Sequence, residues 1–255
     1  MGKQPSQKCT TFVVPEHLIN NPSTTLLDLY DWNAIHNADA PLFHYLDSGE
    51  VTSVPWRRAN DATHRAAGYV STLVEVKSEG SRPLVAIFAN VGRLSYLVHL
   101  KSIADLLGTQ DPITYYCTIV GVVRAGFVVF PISHRNSPEA LADLLSRTKA
   151  NVLLTSSEHA IQATVQKTMQ IMATKHGISP DIHPMSTYGD LCPSNDEPVS
   201  LVAPYTPWAL DEPFIVMHSS GMLAIILQNP TLLYECFFAQ GRLHSLNLLF
   251  GRFAV

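Results

Sequence analysis

The 255-residue chain is 46% hydrophobic and 15% charged with a formal net charge of −4, enough apolar material for a sizeable core in one large domain or two small ones. That balance supplies no basic field for nucleic acid and no polybasic patch for a membrane, so neither is expected as a partner. Cys9, Cys117, Cys192 and Cys236 lack the paired spacing of a zinc knuckle or a small disulfide scaffold, Met1 to Thr10 lack the apolar run of a signal peptide, and no stretch reaches the ~20 apolar residues that span a bilayer, which makes a cytoplasmic protein with reduced thiols the expectation.

Residues 1–25, with Pro5, Pro15 and Pro22, read as a loosely ordered lead-in. Leu26 to Asn37 reads as a short helix, and Phe43 to Leu46 and Val51 to Trp56 as a hairpin about the turn Asp47-Ser48-Gly49-Glu50. From Arg57 to Val76, residues Ala59, Ala62, Ala66, Ala67, Val70, Leu73 and Val74 fall on one face at helical spacing. Leu84 to Ala89 is an uninterrupted apolar run of strand length, the kind buried on both faces of a parallel sheet. Ile113 to Ala125 predicts a helix stopped by Gly126, and Phe127 to Ile132 a second strand. Ser137-Pro138-Glu139 is a helix start with a cap, a first-turn proline and an acid at the positive end of the dipole, and Leu141, Leu144 and Leu145 point inward from that helix. Asn151 to Thr155 is a third strand. Glu158 to His176 is a helix presenting Ile161, Val165, Met169 and Met172 before Gly177. Pro184 to Pro207, rich in proline, serine and acids, reads as a long surface connection, and Pro213 begins a further buried strand that breaks into His218-Ser219-Ser220-Gly221.

This alternation of strand and helix predicts an α/β fold with an open, mostly parallel sheet and helices on both faces. In such sheets ligands sit off the carboxyl ends of strands, where His218, Ser219, Ser220 and Gly221 fall. Glycine lets backbone approach a phosphate closely, and serine adds neutral donors. Taken alone, Ser-Ser-Gly after a strand is an ordinary turn. Its position in the series favours phosphate. The eleven histidines include no His-Glu-x-x-His and no cluster with metal spacing, and Ser219 and Ser220 lack the Gly-x-Ser-x-Gly frame of a hydrolase, so no metal ligand and no catalytic nucleophile are assigned. Arg135 and Asn136 read as turn and surface residues.

Three segments carry a resemblance. Val120 to Ser133 is similar to the helix-Ala-Gly-strand-Pro element of the adenylate-forming (AMP-dependent synthetase/ligase) superfamily, continued by His134-Arg135-Asn136-Ser137-Pro138. Trp56 to Val70 resembles the early helix of that fold. His218-Ser219-Ser220-Gly221 matches the first half of the family's phosphate loop. The resemblance, to fungal synthetase-like adenylation domains in particular, covers roughly residues 42–90 and 111–221 and implies part of the N-terminal domain of an adenylate-forming enzyme. It implies ATP and Mg2+ as cofactors, a small carboxylic acid as substrate, and a carrier-protein or CoA thiol as acceptor of the acyl group. His218, Ser219, Ser220 and Gly221 become the implied nucleotide-binding residues.

Two departures accompany it. After Gly221, Met222 to Leu227 replaces the Ser/Thr-Thr-Gly-x-Pro-Lys half of the loop, and residues 222–255 read as an unrelated apolar tail. The family's later catalytic groups have no counterpart, so the expectation is a truncated adenylation domain over residues 26–221, inactive alone. The alternative is a non-catalytic binding or regulatory protein that engages a partner through residues 222–255. Residues 91–110 are also extra relative to the family. They are either an additional helix, with Leu94, Leu97, Val98, Ile103, Ala104 and Leu107 on one face, or translated intron sequence, since a valine codon opens with the nucleotides of a splice donor and a glutamine codon can supply an acceptor.

Overall fold

The structure, a computed structural model, describes residues 11–47, 50–75, 82–91, 111–175, 177, 179–194, 197–204, 207–209, 212–219 and 222–227. The stretch 92–110, Ser220, Gly221 and everything after Leu227 lie outside the described residues, and with them the readings of 91–110 beyond Val91 and of the tail beyond Leu227.

Before the sheet come α1 (Glu16–Ile19), α2 (Leu26–His36) and an antiparallel hairpin of β1 (Pro41–Asp47) and β2 (Glu50–Pro55). The described part of the expected lead-in, residues 11–25, is better tied down than its composition suggests. Thr24 is buried and donates its hydroxyl to the Leu18 carbonyl at 2.7 Å, while the Asn37 side chain bonds both the N–H and the C=O of Val13 at 2.8 Å. Thr25 and Asp28 form a capping box that starts α2.

The main body is α3 (Trp56–Leu73), β3 (Leu84–Ala89), α4 (Pro112–Arg124), β4 (Val128–Ser133), α5 (Pro138–Thr148), β5 (Val152–Thr155), α6 (His159–Lys175), β6 (Asp181–Pro184), α7 (Tyr188–Leu191), β7 (Pro213–Ser219) and β8 (Met222–Leu227). Caps follow the sequence. Asp111 accepts from the Thr114 N–H with Pro112 at the first helical position, and Ser137 accepts from the Ala140 N–H with Pro138 likewise placed. Gly126, at φ 90°, takes the left-handed turn that ends α4 and sends the chain into β4.

The sheet runs in the order β6-β5-β3-β4-β7-β8, parallel as far as β7 and closed by β8 antiparallel to it. Side chains alternate along β3. Val85, Ile87 and Ala89 pack under α3 and α4 with Val129, Leu154 and Ile215, whereas Ala86 and Phe88 pack under α5 and α6 with Phe130, Leu153, Leu141, Val165 and Met172. Leu144 and Met169, expected inside, are half-buried at the margin of this second layer. No helix among the described residues is long and apolar enough to cross a membrane.

Two segments differ from expectation. The 184–207 connection does not simply run over the surface: it holds β6's end and α7, it buries Met185, Leu191 and Cys192, and its carbonyls are held by the outer face of α3. Arg58 donates to the carbonyls of Cys192 and Pro193, Arg65 to those of Leu191 and Glu197, and Tyr69 to that of Pro184. Two arginines and a tyrosine of α3 thus satisfy the backbone of a covering strap. The second is Met222–Leu227, which joins the sheet as β8, with Ser219 paired to Met222.

α3 and α4 approach closely because small residues meet at their contact. A Cβ on Gly121 would sit 2.5 Å from the Ala66 Cβ and 3.0 Å from the Thr63 carbonyl oxygen. Beside this contact Arg124, 3% exposed, is fully engaged. It donates to Thr63 Oγ1 at 3.1 Å and Asn60 Oδ1 at 2.8 Å, and pairs with Asp31 of α2 at 2.8 Å. His64 adjoins this group, its Nδ1 accepting from the Val202 N–H at 3.0 Å and its Nε2 4.0 Å from Asp31. Burial and the Arg124 charge push its pKa down to about 4, against the opposing pull of Asp31.

Two outcomes are expected. Gly121→Ala gains about 1 kcal/mol of helix propensity but overpacks the contact at a cost of about 3 kcal/mol, so the urea midpoint should fall. An unchanged or higher midpoint would contradict the close packing. His64 is neutral in the folded chain down to about pH 4, whereas an unfolded histidine takes a proton near 6.5. Stability should therefore be complete above that range and fall as pH drops through it, by at most about 1.4 kcal/mol per pH unit from this group. Chemical denaturation at pH 7 and 4.5 should show a smaller acid loss in His64→Gln, whose amide oxygen still accepts from Val202; an equal loss would sink the assignment.

Candidate functional site

The chain leaves the carboxyl end of β3 toward α4 on one face of the sheet and the carboxyl end of β4 toward α5 on the other. Where successive crossovers part in this way, a crevice opens between strand ends. Here it measures about 270 Å³. Ala89 and Val91 line it from the end of β3, Pro131, Ile132, Ser133 and His134 from the end of β4, Tyr115 from α4 and His218 from β7.

β7 is brought to this edge by a clamp at its amino end. The Arg82 guanidinium, 7% exposed, pairs with Glu212 at 2.6 Å, donates to the carbonyls of Gly126 and Pro207, and lies 3.9 Å over the Trp208 ring. Trp208 in turn donates its indole N–H to the Val123 carbonyl at 2.9 Å. The clamp joins the start of β3, the α4–β4 turn and the lead into β7, and Ile215 pairs with Val129 beyond it.

Of the four residues singled out in the sequence, His218 stands in the crevice wall and Ser219 ends β7 opposite Met222. Ser220 and Gly221 lie outside the described residues. The half-buried His218 ring meets Phe130 edge-on at 6.0 Å, its Nε2 accepts from the Ser133 backbone N–H at 3.1 Å, and the Asn136 amide lies 3.5 Å away. Burial lowers its pKa below the ordinary value, so the ring is neutral near pH 7. Burial also pushes the Tyr115 phenol up to about 12, keeping it protonated. Ser133, His134 and Tyr115 were not singled out as site residues by sequence reasoning. The available signal was Ser133-His134, where a buried apolar strand turns polar at its carboxyl end at the switch point.

The described lining is uncharged: it holds no Lys, Arg, Asp or Glu. Its hydroxyls, imidazoles and apolar wall fit the neutral parts of a nucleotide or an acyl group, but offset no triphosphate charge and present no carboxylate to Mg2+. Among the described residues no group of three or more His, Cys, Asp or Glu is placed to hold a metal ion.

No protein-family model matches the chain. Among curated proteins it is similar to adenylate-forming reductase Nps10 of Heterobasidion annosum, 29% identical over 208 residues that make up 79% of this chain and 18% of that protein. Among solved structures it is similar to the anthranilate CoA ligase AuaEII in complex with anthranoyl-AMP, with a TM-score of 0.56 at 12% identity over 86% of this chain and 36% of that one. It is likewise similar to the Mycobacterium tuberculosis fatty acyl CoA synthetase, with a TM-score of 0.54 at 13% identity over 79% and 34%. The chain thus spans under a fifth of its relative's length and about a third of these structures, and its sheet matches that of their N-terminal domains.

The clamp makes β7's position depend on one cation. Arg82→Met keeps much of the stem's packing but leaves Glu212 and two carbonyls without their donor, at a cost of about 3 kcal/mol. Backbone amides of β7 should exchange faster in that variant while those of β3 and α6 keep their order of protection; β7 protection equal to the parent's would refute the clamp.

Proposed function

We propose, from its similarity to adenylate-forming reductase Nps10 and the fold it shares with acyl-activating enzymes, that the chain is part of an adenylate-forming enzyme and contributes the crevice wall of a site that activates a carboxylic acid with ATP. In the reaction a carboxylate oxygen bonds to the α-phosphorus, the bond to the pyrophosphate bridging oxygen breaks, and the acyl adenylate is then passed to a carrier-protein or CoA thiol. The observation that carries this reading is the crevice at the carboxyl ends of β3 and β4, with His218 in its wall and β7 leading into Ser219, Ser220 and Gly221.

In this reading Ser219 and Ser220 meet phosphate oxygens with hydroxyls, and Gly221 lets backbone N–H groups approach them. The 255 residues alone bind ATP weakly and do not turn over. The uncharged lining supports that, as does the separation of β7 from β8 by only two residues. Purified chain given ATP, Mg2+, labelled pyrophosphate and a panel of aliphatic and aromatic acids should show no acid-dependent exchange. Acid-dependent exchange abolished by Gly221→Val would establish a competent site in these residues and overturn the inactivity.

A further inference from the structure

His218 is the one described crevice residue whose ring is held by another strand's backbone. The Ser133 N–H that it accepts closes the gap between the last turn of β4 and the carboxyl end of β7, where ladder pairing between the two strands is represented by Val129 and Ile215 alone. Asn136 supports the same turn, donating to the Ser133 carbonyl at 2.8 Å and reaching toward the same imidazole nitrogen. Phe130 meets the ring edge-on and limits its rotation. An imidazole nitrogen that accepts a hydrogen bond carries no proton, so in the neutral ring the hydrogen must be on Nδ1.

We propose that His218 is a tautomer-locked positioning residue: by accepting the Ser133 N–H at Nε2 it pins the carboxyl end of β7 to the start of the β4–α5 turn. This builds on the nucleotide reading of the crevice, but the lock itself requires no ligand. The pinned strand end keeps His218 in the crevice wall. The described crevice lining around the ring, which includes Tyr115 of α4 and His134 of the β4–α5 turn, holds no carboxylate that would keep it protonated.

The full 255-residue chain, uniformly labelled with 15N, tests this at pH 7.5 without ligand. The His218 ring should show a pyrrole-like Nδ1 and a pyridine-like Nε2, and the Ser133 amide should be protected from exchange. In His218→Phe, which keeps the ring but loses the acceptor, Ser133 should exchange about tenfold faster. In His218→Gln, whose side-chain oxygen can take the place of Nε2, protection should return to within about threefold of the parent. A ring protonated at Nε2, or Ser133 exchange unaltered by the phenylalanine, would overturn the proposal. Titration of the parent with ATP separates the two readings. Shifts at His218 and Ser133 support both, and an intact lock that ATP leaves unmoved supports the lock while counting against the nucleotide site.

Discussion

The architecture depends on β3 having no face left for water. Each of Val85 to Phe88 is fully buried, alternate side chains enter opposite layers, and the strand has a parallel neighbour on either side. Such a strand forces helices onto both faces of the sheet, and parallel neighbours force each connection to recross its length. The carboxyl ends of β3, β4, β5 and β7 consequently share one edge. The crevice is where the connections leaving β3 and β4 part at that edge, so its location follows from burial and strand order rather than from any residue within it.

Around this apolar centre the molecule fixes its accessory parts with arginines. Arg124 draws α2, α3 and α4 together through Asp31, Asn60 and Thr63. Arg58 and Arg65 hold the strap, and Arg82 holds the entry to β7. A planar guanidinium with several donors suits these places, since each must satisfy groups from separated segments at once. Arg124 and Arg82 are nearly inaccessible to water, so their removal would strand buried partners, whereas the outlying Arg57–Asp39 pair at 3.3 Å, with both side chains exposed, contributes little.

How much of this could be read from the sequence varied with how local the signal was. The Leu84–Ala89 run, the Asp111 and Ser137 caps with their prolines, and Gly126 each decide an element by themselves, and those elements stand where the pattern placed them. β6 was missed because Asp181-Ile182-His183-Pro184 is short, polar and at the sheet edge, and only its pairing with β5 makes it a strand. The strap was misjudged because composition reports polarity but not the arginines opposite it. Arg124, inside an apolar helical run, gave no hint of Asp31, 93 residues earlier. In the site, the strand-to-serine break at His218 was legible, but the partnership of its ring with the Ser133 backbone requires knowing that β4 and β7 are neighbours.

The reversal of direction at β8 has a spatial outcome. Strands β3 through β7 all point toward the crevice edge, but β8, six residues long and antiparallel to β7, brings the chain back down the sheet. At about 3.4 Å per residue, Leu227 lies roughly 20 Å below that edge, opposite Pro213. Any group from later in the chain that is to reach the crevice must first climb the full height of the sheet.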